Sequence, residues 1–322
     1  MSVCLIWPQN RSTNLLAASL DSLRYKARAA GGNVIYPWSN PMTEHNNKSQ
    51  SVEIKPRRMA FDTAAPMRKY TFKDNSLVST FFYSLSALFP DGERFFIHSV
   101  RNYQNEIKDP VLLAQIRGFI GQEAHHGHSH EGLNNTIHDM GFPMHEITNR
   151  LQKRIGFLKK KLGRGRQLAL TVAMEHFTAS MAEFLLKNPE ILDDVDPTIR
   201  QMLIWHAVEE IEHKAVAFDI YRLKVNNEKL RKRVMFISII GLFSRLAYYQ
   251  FLMLKADRHF PSLREWVEAT KFFWGKKGIL RDNLKSMRLF FQDGFHPWDI
   301  DQHALIDGWQ ERFPDIAALQ MN

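Results

Sequence analysis

Apolar residues recur along this chain at helical spacing, and the period-two alternation expected of strands is nearly absent. From about residue 52 onward, apolar stretches of helical length are separated by short breaks rich in Gly, Pro, Asn and Asp. The pattern predicts a first helix over about 76–105, interrupted near Pro90 and Asp91, with Asp91 capping the part that carries Glu93. Asp109-Pro110 opens a second helix to about 140, proline being suited to a first turn, and Gly141-Phe142-Pro143 stops it. A basic connecting helix follows and ends at Gly163 and Gly165. The third long helix spans about 165–187 and ends at Asn188-Pro189, and Asp196-Pro197 opens the fourth, about 197–224. Residues 234–254, "VMFISIIGLFSRLAYYQFLML", form a fifth apolar segment flanked by Arg231, Lys232, Arg233, Lys255 and Arg258.

The fold class expected is all-α: a ferritin-like four-helix bundle with additional C-terminal helices. Residues 1–51, rich in Asn, Ser, Gly and Pro, read as an irregular or disordered extension. Residues 52–228 would form the bundle, opening with an ordered lead-in, "VEIKPRRMAFDTAAP". Residues 229–322 would be helices and a tail packed on it.

Each of the four long helices carries a carboxylate within an apolar run. Glu93 and Glu175 stand alone. Glu123 and Glu210 are each followed three residues later by a histidine, His126 and His213. Residues three apart share a helix face, so each Glu-x-x-His pair aims a carboxylate and an imidazole at one point. The ordered set Glu, Glu-x-x-His, Glu, Glu-x-x-His is the ligand set of dinuclear carboxylate bundles. Its flanks are apolar (Ile97, Val100, Ile116, Phe119, Ala179, Ala217), and a buried carboxylate is costly unless paired or metal-bound. Hard carboxylate oxygens and borderline imidazole nitrogens suit two iron ions, with manganese as the alternative. In this reading Glu123 and Glu210 bridge, Glu93 and Glu175 are terminal, and His126 and His213 serve one ion each.

Further residues fall on the same faces. His206 shares a stripe with Glu210 and His213 and is a candidate extra ligand. His130, seven residues after Glu123, is expected to support the ligands. Thr178, one turn beyond Glu175, could hydrogen-bond to oxygen at the site, or simply to its own backbone. His176 and Glu209, each next to a ligand, are rotated about 100° away and are expected to be structural. Ala179 and Ala182 would leave room for substrate.

The segments "FPDGERFFIHSVRNY", "FIGQEAHHGHSHEGLN" and "WHAVEEIEHKAVAFDIY" resemble the bacterial family named predicted metal-dependent hydrolase, over roughly residues 52–305. That resemblance implies a ferritin-like metal site and allows hydrolysis by metal-activated water. With His206 added, the ligand residues resemble those of arylamine N-oxygenase-type di-iron oxygenases, a likeness confined to those residues. It implies oxygen-activating oxidation of an apolar or amphipathic substrate, which is the leading expectation here, with hydrolysis the alternative. Iron storage is disfavoured by the length, since cage-forming ferritin subunits are far shorter.

Composition adds limits. The 322 residues carry a formal net charge of +9, which favours anionic partners. No zinc-finger, RNA-recognition or helix-turn-helix pattern accompanies that charge, so nucleic acid is not expected. A lipid-like or carrier-bound small molecule fits better, with an electron donor that the sequence does not identify. The lone cysteine, Cys4, suits a reducing cytoplasm, and no secretory leader is evident. The segment 234–254 is long enough to span a bilayer, but a central arginine such as Arg245 costs at least ~2.5 kcal/mol there. It is therefore expected to pack on the bundle, with peripheral membrane contact as the alternative. A homodimer is admitted by the sequence without being specified. In the tail, His296, Asp299, Asp301 and His303 form either a second polar site or a turn that docks the C-terminus.

Overall fold

In the computed structural model, residues 52–321 are described, and among them the chain is all-helical apart from two isolated bridges, Met59–Gln320 and Phe72–Val195. The expected irregular extension over residues 1–51 lies outside the described residues. The long elements are α1 Ser76–Gln104, α2 Pro110–Asp139, α3 Met144–Lys161, α4 Arg164–Lys187, α5 Pro197–His213, α6 Val216–Lys224, α7 Glu228–Ala256, α8 Leu263–Trp274 and α9 Ile279–Phe290. Helix α1 packs on α2, α2 on α5, α5 on α4 and α4 on α1, which closes a four-helix ring. Helix α3 lies across α1 and α2, while α7 covers α1 and α4, and α9 covers α4.

Local chemistry sets the ends. Asn75, Asp109 and Asp196 cap α1, α2 and α5, their side chains accepting from backbone N–H groups of the first turn. Prolines occupy the first helical position of α2 and α5. Gly141, at φ +96°, turns the chain after α2.

The expected interruption at Pro90 does not occur, and α1 runs through it. Proline removes the N–H that would have bonded to the Ser86 carbonyl. Here Asn134 Nδ2 on α2 donates to that carbonyl at 3.0 Å, so the freed acceptor is satisfied from a neighbouring helix. Asp91, expected as a cap, instead accepts from Arg94 on the surface. The fourth expected helix divides into α5 and α6 at Lys214 and Ala215. Both residues keep right-handed backbone angles, so the chain changes pitch without reversing direction.

The lead-in lies extended against α2, with Val52 and Ile54 buried. It can approach because α2 presents glycine there: a Cβ on Gly118 would sit 2.3 Å from the Ile54 carbonyl oxygen. This contact carries Arg57 to the bundle interior.

Helix α7 is long and apolar enough to cross a membrane by length and composition. One face, with Met235, Leu246, Tyr249 and Met253, is buried, while Phe236, Ile237, Ile240 and Phe251 are exposed. Its first turn is anchored by Arg231, which is fully buried. Arg231 donates to Glu228, to the Phe290 carbonyl, and to the Gln292 carbonyl at 2.9 Å. At the tail, His296 pairs with Asp219 (2.9 Å), and Lys214 Nζ donates to the Ile300 carbonyl (2.8 Å) and packs on Trp298. The segment thus docks the C-terminus on α5 and α6.

Candidate metal centre

The four helices of the ring bring seven of the sequence-predicted residues to one place. Glu93 comes from α1, Glu123 and His126 from α2, Glu175 from α4, and His206, Glu210 and His213 from α5. All are at most 5% exposed. Ligand-type atoms of Glu123, Glu175 and His213 lie within 4.8 Å of one another, as do those of His126, His206 and Glu210. Glu93 joins Glu123 and His126 in a third such group, and His130 and His206 in a fourth. Glu123 therefore belongs to both halves. Glu210 does too: Oε1 is 2.8 Å from His206 Nε2 and 3.8 Å from His126 Nδ1, and Oε2 is 3.6 Å from His213 Nε2. Gly127 makes room for Glu93, whose Oε2 lies 3.0 Å from where a Cβ would stand.

These atoms meet without other partners. Both carboxylate oxygens of Glu93, Glu123 and Glu175, together with His126 Nδ1 and His213 Nε2, are buried with no hydrogen bond among the described residues. Buried polar groups are normally satisfied, and a convergent set of oxygens and nitrogens left open is what a cation would complete. Burial, and after it the neighbouring carboxylates, push Glu93, Glu123 and Glu175 well above the usual carboxylate range. Glu210 behaves oppositely. Burial pushes it up, but its close contacts with His213 and His206 outweigh that, and it falls well below the range. Burial, reinforced by His206, pulls His126 and His130 well down. The residues thus fit a pair of cations by donor type, by convergence and by electrostatics.

A surrounding network fixes which nitrogen of each histidine faces inward. His213 Nδ1–H donates to Gln122 Oε1 (2.9 Å), and Gln122 Nε2 donates to Glu212 (2.8 Å). That leaves the Nε2 lone pair of His213 turned toward the carboxylates. His126 Nε2–H donates to Glu209 Oε2 (3.0 Å), which leaves Nδ1 inward. His206 Nδ1–H donates to His130 Nε2 (3.0 Å), and His130 Nδ1–H to Ser86 Oγ (3.0 Å). Ser86 Oγ–H passes to Asn134 Oδ1 (2.7 Å). Every donor in this series has one acceptor, and His206 Nε2 is the atom that faces Glu210. Thr178 Oγ1 lies within bonding distance of Glu210 Oε2 and of the Glu175 carbonyl.

Much of this network was not evident from the sequence, Glu209 and Arg57 above all. Glu209, expected to be merely structural, is the acceptor for His126. Arg57, in the lead-in, joins the two halves, since it donates to Glu209 (3.1 Å) and Glu212 (2.5 Å). Burial lifts Glu209 to about 8, against the opposing charge of Arg57. His176 stays outside the cluster and bonds to the Ser286 carbonyl.

An apolar cavity of about 540 Å³ reaches the cluster, within the ~300–1,000 Å³ typical of small-molecule sites. Glu93, His130, Thr178, His206 and Glu210 line its buried end, and Ala182 lines it as well. No curated protein and no solved structure matches the chain. A family model described as predicted metal-dependent hydrolase matches residues 55–301, which include every residue of the cluster and of its hydrogen-bond network. The chain belongs to the predicted metal-dependent hydrolase family.

Proposed function

We propose that the protein is a dinuclear metal enzyme that hydrolyses an apolar or amphipathic substrate. The observation that supports this most is the open cluster of four carboxylates and three imidazoles at the end of an apolar cavity, in a member of a family described by metal-dependent hydrolysis. Glu123 and Glu210 would bridge two cations; Glu175 and His213 would hold one, and Glu93, His126 and His206 the other. Two bound cations would lower the pKa of a water molecule and clamp the scissile group.

The chain's own residues set the conditions for that chemistry. Gln122, Glu209 and His130 hold the three imidazoles in the tautomer whose free lone pair faces the carboxylates. Thr178 Oγ1–H restrains the rotation of Glu210. His130, held neutral by burial, is a hydrogen-bonding support for His206 and a poor proton acceptor at neutral pH. The apolar walls orient the substrate and exclude bulk water.

A second reading, oxidation of the same kind of substrate with dioxygen, is favoured by one feature, the third imidazole at His206, which enriches one half of the site in nitrogen. It requires iron and an electron donor. Metal analysis of the purified protein, an ester and amide panel, and an oxygen electrode separate the two. Hydrolysed product without oxygen uptake is expected. Oxygen uptake coupled to an oxidised product would replace hydrolysis by the second reading.

A further inference from the structure

Arg245 sits in the middle of the apolar helix α7, where an unpaired charge is costly. It lines the cavity, half-buried, and among the described residues its guanidinium donates only to the Gly241 carbonyl (2.8 Å). Arg154, on α3, lines the same cavity. Burial presses the Arg245 pKa down, and the Arg154 charge presses it further; both side chains line this one cavity. Among the described residues neither has a carboxylate partner, although Arg150, one turn before Arg154, pairs with Glu146.

Elsewhere on the rim, Arg166 and Arg233 also line the cavity and are exposed. Arg233 and Arg245 are twelve positions apart, about 18 Å along α7, so the mouth is basic along its length. The carboxylates that line the cavity, Glu93 and Glu210, are buried at the opposite end with the cluster. Between the ends the walls are apolar, with Phe89, Leu158, Met174, Phe177, Met181 and Leu242. The cavity therefore offers positive charge at the mouth, hydrocarbon along the walls, and the carboxylate–imidazole cluster at the inner end.

We propose that this cavity takes a single-chain amphiphile with an anionic head group, the head held by Arg154 and Arg245 and the chain laid along the apolar walls toward the cluster. A volume of about 540 Å³ suits one such chain rather than a diacyl lipid. This names the substrate class for the enzyme proposed above, and it rests on that reading only in having the chain end reach the metals. Guanidinium groups facing a partly apolar pocket bind carboxylate and phosphate through charge-assisted hydrogen bonds, so a neutral molecule of the same length forfeits the contact at the mouth.

Isothermal titration of the full-length protein with laurate, dodecyl phosphate and lauryl alcohol tests this, using wild type, R154Q, R245Q and R245K. Both anions are expected to bind at least about tenfold more tightly than the alcohol. R154Q and R245Q should each weaken anion binding about tenfold while leaving the alcohol unchanged, and R245K should recover part of the loss. A difference between laurate and dodecyl phosphate identifies the preferred head group. Equal binding of anion and alcohol, no binding of either anion, or an unchanged anion affinity in R154Q (an exposed position that does not threaten folding) would each overturn the proposal. Flotation with phosphatidylglycerol vesicles is run alongside. Vesicle binding without laurate binding would assign the arginines to a membrane surface and overturn it as well. Metal counts on the same samples keep the readings apart: protein that takes up no metal on reconstitution and still binds laurate defeats the dinuclear reading alone.

Discussion

Arg57 is the residue whose loss should be felt by both halves of the site at once. Its side chain is 11% exposed and meets Glu209 and Glu212, themselves 0% and 7% exposed. Arg57→Met keeps much of the volume but leaves buried Glu212 without its counter-charge and Glu209 without its donor. Removing one partner of a buried ion pair costs about 3–5 kcal/mol, and here a single cation serves two. For a chain of this size that corresponds to a fall in Tm of about 4–8 °C. The same change should weaken metal binding. Glu209 would lose the charge that opposes its protonation and become a poorer acceptor for His126, while Glu212 would lose its hold on Gln122 and so on His213. Loss of such supporting partners typically costs about 10–100-fold in metal affinity. Thermal unfolding of chelated protein measures the first effect, and competitive metal titration at constant pH the second. A double variant, R57M with E209Q, should recover part of the stability, because the buried acid left without its donor is removed with the cation. If R57M unfolded within 2 °C of wild type and held metal within threefold, the joining role assigned to Arg57 would be refuted.

Two further outcomes concern the supports of the fold. Glu265 accepts hydrogen bonds from the Ser76 hydroxyl and N–H and from Ser262, tying α8 to the start of α1. Burial raises its pKa, but those hydrogen bonds, led by the Ser76 hydroxyl, bring it down to about 2. A depressed carboxyl contributes stability that is complete above its ordinary value near 4.5 and is lost as pH falls through the folded value. The contribution is on the order of 2–3 kcal/mol. Glu265→Gln should lower urea stability at pH 7 by about that amount and flatten the decline between pH 4.5 and 2; parallel curves for the two proteins would contradict this. Arg231→Met should cost about 3 kcal/mol, because the Phe290 and Gln292 carbonyls and Glu228 lose their shared donor. Chemical denaturation with wild-type stability would show that α7 is held mainly by its apolar face.

What was legible in the sequence follows from periodicity. Three-residue spacing puts Glu123 with His126 and Glu210 with His213 on one face wherever the segment is helical, so their pairing could be read without a structure. The helix starts at Asp109-Pro110 and Asp196-Pro197 are likewise local. What escaped depends on contacts between segments far apart in the chain. Pro90 looked like a break because its compensating donor, Asn134, is on another helix. Arg57 carried no signal, since its partners lie more than 150 positions away. Glu209 was set aside because it is rotated from Glu210. Helix α5, however, is buried without interruption from Ile204 to His213, so a residue turned away from one seam enters another, where His126 presents its outer nitrogen. An apolar run that surrounds two adjacent glutamates was the available hint that both face protein. The basic rim of the cavity was visible as charge, but its convergence from α3, α4 and α7 was not.

The central claim is that seven buried side chains together hold a pair of cations. Elemental analysis of full-length protein measures this directly, comparing wild type with Glu123→Ala and His213→Ala after passage over a chelating resin. The account predicts two transition-metal ions per chain in wild type and their loss in both variants, with helical content retained. Wild type that holds no metal under reconstitution, or two ions retained in both variants, would contradict it.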